Sequence, residues 1–273
     1  MTWGSPSSNA WGSPTGSPGS GGGGGGPTTT LIWSVDFSTV ADHDFKSTST
    51  LALSGVTFTA ENQANQDRFE VAGGILLIEG GESGGYNGSN FLGPQLACDW
   101  ADLMAYSAGD AYDPEMTYVW RMIMTADSPQ PSNSGYEGPF CGIRRNRAVV
   151  GMDCHIGVYQ ANYRAAKGKS TERDNARGNT NVSNPRSFAV KYGQAGASWL
   201  VSASDLSGQP PFAGTPINAG YMQNDLNSTG IGITPVPDSL DLSNASSQAY
   251  IGCISKVGGS TFQYSKLELH EVG

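Results

Sequence analysis

Strict alternation of apolar and polar positions begins at Leu31. Leu31, Trp33, Val35 and Phe37 share one parity, while Ile32, Ser34 and Asp36 share the other. That two-residue period predicts a strand with one apolar face. Short segments of the same kind recur at residues 51–53, 56–59, 69–71 and 75–78, and the Gly73-Gly74 pair between the last two reads as a hairpin turn. The strongest segment is 117–125: Tyr118, Trp120, Met122 and Met124 fall on one face and Val119, Arg121 and Ile123 on the other. A strand apolar on both faces belongs in the middle of a sheet. Segments 140–144 and 148–159 form a hairpin across an Arg-Asn-Arg turn, and 187–192, 198–203, 249–255 and 261–272 complete a set of about eleven or twelve strands. In the last segment the apolar parity slips between Tyr264 and Leu267, which means a β-bulge or a strand buried on both faces.

One segment has helical spacing. Pro94-Gln95-Leu96 opens it, and Leu96, Trp100 and Leu103 follow at intervals that place them on one side. It is expected to plug one end of the sheets. Residues 204–247 are rich in Gly, Pro, Asn and Ser, and so long a loop in a compact body is expected to be functional or packed on a partner.

Residues 1–30 differ in kind from this body. WGSP occurs at Trp3–Pro6 and again at Trp11–Pro14, six glycines run from Gly21 to Gly26, and no charged side chain precedes Asp36. Gly, Ser and Pro at that density cannot bury a core and form a flexible tether. A solvated tether has no use for indoles, whereas an arm that docks into another protein does. Trp3, Pro6, Trp11 and Pro14 are therefore the candidate docking residues, against the plainer reading of a disordered tail. The expected division is an arm over 1–30 and one β-sandwich domain over 31–273.

Composition narrows the function classes. The 273 residues carry a net charge of −9 with a pI near 4.7, which argues against a nucleic-acid binder. Residues 144–177 invert that balance, with eight basic against three acidic groups. Arg144, Arg145, Arg147, His155, Tyr159, Arg164, Lys167 and Lys169 form a candidate patch for an anionic ligand or a subunit contact; a solvated basic loop is the alternative. The four cysteines, Cys98, Cys141, Cys154 and Cys253, contain no CxxC pair, so a structural zinc site is not expected. Cys141 and Cys154 flank the expected hairpin and could face each other across it, but buried free thiols are expected for a protein made in a cytoplasm. No signal-peptide pattern and no apolar run of membrane-spanning length is present.

The segments LIWSVDFS, FEVAGGILLIEGG, SFAVKYG followed by ASWLVSASDLSG, and the closing AYIGCISKVGGSTFQYSKLELHEVG together resemble the strand order of concanavalin A-like and laminin G-like domains. That resemblance covers about residues 31–272. It implies an all-β, two-sheet antiparallel jelly-roll sandwich with one short helix, its first and last strands side by side. Members of this family bind sugars, cleave polysaccharides or serve as adhesion modules, and the fold by itself chooses none of these. A jelly roll behind a low-complexity arm also resembles virion proteins of tailed bacteriophages. That resemblance implies a capsid decoration or fibre on the virion surface, assembled as a homo-oligomer, a trimer for instance, and held to other virion proteins by the arm. A glycan is the further partner it suggests, with no nucleic acid and no membrane.

Catalytic patterns define the alternative to this non-enzymatic expectation. Glycoside hydrolysis needs two carboxylates at a fixed short separation, which jelly-roll glucanases supply from an E-x-D-x-x-E strand that is absent here. Asp110, Asp113 and Glu115, like Glu79 and Glu82, sit in turn-like sequence. Alginate-lyase-like enzymes combine an Arg-rich strand, a Gln-x-His strand and a Tyr-bearing strand; HIGVYQANYR resembles only the last. A polysaccharide-active enzyme or a free lectin is thus the alternative. Arg144, His155, Tyr159 and Tyr163 would line its basic groove. His43, His155 and His270 have no metal-ligand neighbour at helical spacing, and no cofactor is expected. Asp99, Asp102, Asp110 and Asp113 are the candidates for a loop calcium, without a spacing that singles them out.

Overall fold

The computed structural model describes residues 28–61, 68–80, 95–107, 112–129, 138–144, 153–159, 162–168, 176–179, 186–193, 196–208, 242–243, 245–254 and 260–273; for 153–159, 162–168, 176–179, 196–201 and 254 the description is of the backbone. The strands in chain order are β1 (Thr29–Asp36), β2 (His43–Asp44), β3 (Thr50–Leu53), β4 (Val56–Glu61), β5 (Phe69–Ala72), β6 (Ile75–Glu79), β7 (Gln95–Asp99), β8 (Thr117–Met124), β9 (Gly138–Arg144), β10 (Asp153–Tyr159), β11 (Asn162–Gly168), β12 (Ala176–Asn179), β13 (Ser187–Gly193), β14 (Gly196–Ser202), β15 (Gln248–Ile254) and β16 (Thr261–Val272). Among the described residues one α-helix, α1 (Trp100–Met104), and a 3-10 turn at Phe37–Thr39 interrupt them. They form two eight-stranded antiparallel sheets. The first runs β14-β13-β8-β16-β6-β5-β2, with β1 also paired to β16; the second runs β12-β11-β10-β9-β15-β7-β4-β3. The protein is an all-β sandwich, and its terminal strands β1 and β16 lie side by side as a jelly roll requires.

Alternate residues of each sheet meet between the layers. Trp33, Trp120, Met122, Leu267 and Leu269 from the first sheet pack with Phe58, Leu96, Cys141, Ile143 and Ile251 from the second. Trp33, Phe58 and Trp120 stack in the middle, with centroid separations of 5.7 Å, 6.0 Å and 6.5 Å. β8 is buried on both faces from Tyr118 to Met124, as a central strand should be.

The parity slip in β16 is a bulge: Tyr264 pairs with Met124, but Lys266 pairs with Ile123. A second bulge, in β1, corrects the expected alternation. The register jumps between Leu31 and Trp33, so Ile32 turns inward while Leu31 is 44 % exposed. The expected helix is also corrected. Gln95–Asp99 is a strand because its backbone is paired on both sides, to β4 and β15, and only the five residues from Trp100 are helical. Trp100, Leu103 and Met104 are buried, and Trp100 meets Tyr118 edge-on at 5.7 Å. Cys141 is opposite Ile156, and Cys154 is opposite Ile143, so the two cysteines are not cross-strand partners. Cys98, Cys141 and Cys253 are buried free thiols. The sixteen strands among the described residues exceed the sequence expectation because β2, β7, β11 and β12 lack the apolar alternation that announces the others.

Gly73 and Gly74 link β5 to β6 with φ of +58° and +79°, both in the left-handed region that a two-residue hairpin of this hand demands. A Cβ at Gly73 would meet nothing within 4 Å, whereas one at Gly74 would come within 3.0 Å of the Ser38 backbone. Gly73→Ala is therefore expected to cost about 1–2 kcal/mol for the left-handed backbone alone, and Gly74→Ala more. Urea unfolding of the two variants checks the order.

Candidate functional site

Of the sequence-predicted patch, Arg144, His155, Tyr159, Arg164 and Lys167 lie in strands of the second sheet. Cys141 and Ile143 of β9 and Ala249, Ile251 and Cys253 of β15 point into the core. Phe140, Gly142, Arg144 and Tyr250 therefore belong to the opposite face of the sheet. Phe140 and Tyr250 meet there edge-on at 5.9 Å. Arg144 is 5 % exposed and gives its donors to protein oxygens. One Nη pairs with Glu61 at 2.6 Å, the other donates to Gln95, and Nε donates to Gln248 at 3.0 Å. The guanidinium carbon lies 4.6 Å from the centre of the Tyr250 ring. Four strands, β4, β7, β9 and β15, thus converge on one cation. Arg144 ties together four adjacent strands of the sheet.

The register carries the same face outward to the β12 edge. Asp153, His155 and Gly157 of β10 pair with Arg144, Gly142 and Phe140. Across the next ladder Arg164 is opposite Gly157, and Asn162 is opposite Tyr159. Arg177 is opposite Arg164 in turn, and Asn179 is opposite Asn162. His155, Tyr159 and Arg164 therefore share a parity with Arg144. Lys167 is opposite Cys154, and Tyr163 is opposite Val158; both belong to the other parity. The predicted patch is divided between two faces, and Arg177 joins the part that holds His155, Tyr159 and Arg164. Sequence reading missed Arg177 as a member because ARGN has no strand-like alternation. Arg145, Arg147 and Lys169, and the arm residues Trp3, Pro6, Trp11 and Pro14, lie outside the described residues.

A second polar cluster occupies the outer face of the first sheet. Arg121 of β8 pairs with Glu268 of β16 at 3.0 Å, and Glu268 also meets His270 Nε2 at 3.0 Å. All three residues are buried. The segment after β14 closes over them: Arg121 donates to the Leu206 carbonyl at 2.5 Å, and the Gly208 N–H donates to Glu268 at 2.7 Å. Leu206 packs there on Val119 and Ala189. Burial pushes the Glu268 pKa up, but the His270 and Gly208 hydrogen bonds and the Arg121 charge outweigh it and hold the carboxyl below its ordinary value. With every oxygen of Glu268 engaged, this cluster fastens a loop to a sheet.

Among the described residues no group of three His, Cys, Asp or Glu side chains could hold a metal ion. Asp113 takes part in a turn, accepting from the Glu115 N–H at 2.8 Å and donating its own N–H to the Tyr118 hydroxyl at 2.9 Å. No helix among the described residues is long and apolar enough to cross a membrane.

No protein-family model and no curated protein sequence matches the chain. Solved structures similar to it include the CBM2 module of the Lactobacillus casei BL23 phage J-1 evolved Dit, at 10 % identity and a TM-score of 0.43, covering 90 % of this chain and 97 % of that one. They also include Trypanosoma rangeli sialidase in complex with the inhibitor DANA, at 12 % identity and a TM-score of 0.42, covering 86 % of this chain and 30 % of that one. A further complex of the same sialidase, with 2,3-difluoro-KDN, gives 10 % identity and a TM-score of 0.41. The chain spans about three tenths of the length of the sialidases. Likeness at this level transfers neither a site nor an activity.

Proposed function

We propose that the protein is a non-enzymatic structural component of a phage particle, a capsid decoration or fibre, whose N-terminal arm holds it to other virion proteins while the sandwich is presented outward for glycan or host-surface adhesion. Trp3 and Trp11, with Pro6 and Pro14 beside them, insert into apolar sockets on the carrier, and the six glycines span the gap. Copies associate as a homo-oligomer through the uneven charge of the body.

The observation that carries this reading is the root of the arm. Thr28 and Gly273 exchange a backbone pair at 3.1 Å and 3.0 Å, and from there β1 runs antiparallel along β16 to a closing Asp36–Lys266 ion pair at 2.9 Å. The arm therefore joins the body at one corner, on a strand paired from Thr29 to Asp36, but for the bulge at Ile32, with the longest strand of the sheet. A load on the arm is thus passed to a strand that is itself hydrogen-bonded into the sheet. Of the carboxylates, Glu61 and Glu268 are each held by an arginine.

Deleting residues 2–27 leaves β1 whole and tests the reading. The truncated protein is expected to keep the unfolding temperature of the full chain and to lose at least about tenfold of its incorporation into particles, the loss of a single good anchor. Trp3→Ala with Trp11→Ala is expected to reproduce most of that loss. Unchanged incorporation rejects the anchor.

A further inference from the structure

We propose that Arg164 and Arg177, directly opposite each other at the β12 edge of the second sheet, bind a carboxylate of an acidic glycan. This rests on the adhesion reading and names the class of glycan. Directly opposed residues of an antiparallel ladder have Cβ atoms about 4.5–5.5 Å apart, and like charges there destabilise the sheet. Like charges at directly opposed register positions are unfavourable unless a counter-ion offsets them, and arginine is the residue best suited to an oxyanion. The neighbouring position in the row is Gly157, which adds no side chain. The next row along the same face holds Tyr159, Asn162 and Asn179, an aromatic and two amides of the kind that suit a sugar ring and its hydroxyls. Within β10, β11 and β12 the only acidic residue is Asp153. It lies four positions from Gly157, roughly 13 Å along the strand, opposite Arg144 and Gly168. The strands themselves therefore bring no carboxylate to the arginine pair.

The test is binding of the full chain to polygalacturonate, to its carboxyl-reduced counterpart and to a neutral dextran. Binding is expected for the first alone. Arg164→Ser and Arg177→Ser are each expected to weaken it about tenfold or more, with the unfolding temperature unchanged or raised because a repulsion has gone. Lys167→Ser removes the same charge from the other parity of β11 and is expected to leave binding unchanged. Equal weakening by Lys167→Ser overturns the proposal in favour of a diffuse field. So does a lowered unfolding temperature in both arginine variants, which makes the pair structural. Binding to dextran and not to polygalacturonate overturns this inference while leaving the adhesion reading intact. Loss of particle incorporation on arm deletion is independent of all three arms.

Discussion

Glu268→Ala is expected to destabilise the sandwich by about 3–5 kcal/mol, the cost of removing one partner of a buried ion pair. Arg121 is fully buried, so the variant leaves its charge without the neighbouring carboxylate in a region that water does not reach. The loss extends beyond the pair. Gly208 N–H and His270 lose their acceptor, and the segment that carries Leu206 loses one of its ties to the sheet. Hydrogen exchange at 205–208 should rise in the variant more than exchange in β8. The same group sets a dependence on acid. Its carboxyl is held below the ordinary value in the folded protein, so its stabilisation is complete above the unfolded-state value, near 4.3, and is lost as pH falls through the lowered folded value. Chemical unfolding of the wild type between pH 6 and pH 3 should show that loss, and Glu268→Ala should flatten it. A variant as stable as the wild type, with the same acid limb, contradicts the role given to the cluster.

Trp120→Ala is expected to cost about 3–5 kcal/mol. Trp120 comes from the first sheet and stacks against Phe58 of the second at 6.5 Å and Trp33 of the first at 6.0 Å. Its indole N–H donates to the Tyr250 carbonyl at 3.1 Å, which ties β8 across the core to β15. Alanine leaves a cavity between two sheets that cannot close without moving eight strands each. Trp120→Phe keeps most of the contact area and loses the hydrogen bond, so a cost nearer 1 kcal/mol plus a small packing loss is expected. Equilibrium unfolding in urea separates the two variants, and similar costs for both would show that the hydrogen bond matters more than the stack.

The sequence legibly carried those parts of the fold in which apolar periodicity meets a two-faced sheet. The β5–β6 hairpin, both-sided burial of β8 and the bulge between Tyr264 and Lys266 all follow from alternation and its breaks. Leu31 was misplaced because a bulge at Ile32 changes parity without leaving a mark on composition. QLACD reads into Trp100 as one helical run, since Leu96, Trp100 and Leu103 have helical spacing. Only the pairing of Gln95–Asp99 to strands remote in sequence makes it a strand. The polar strands β11 and β12 carry no apolar alternation, so the sequence alone does not place Arg177 in the patch or separate Lys167 from residues of the other parity. From the sequence Arg144 is the last residue of a strand and a member of the candidate ligand patch. Its partners Glu61, Gln95 and Gln248 are 83, 49 and 104 residues away, a distance over which local pattern says nothing.

The attachment is tested most directly by imaging the assembled particle by electron microscopy at a resolution that shows side chains. We expect Trp3 and Trp11 to be seated in apolar sockets of the carrier, with the chain running from there to Thr28 at the corner of the sandwich. Both indoles in solvent, or a sandwich bound to the particle through a sheet face with the arm unattached, would contradict it.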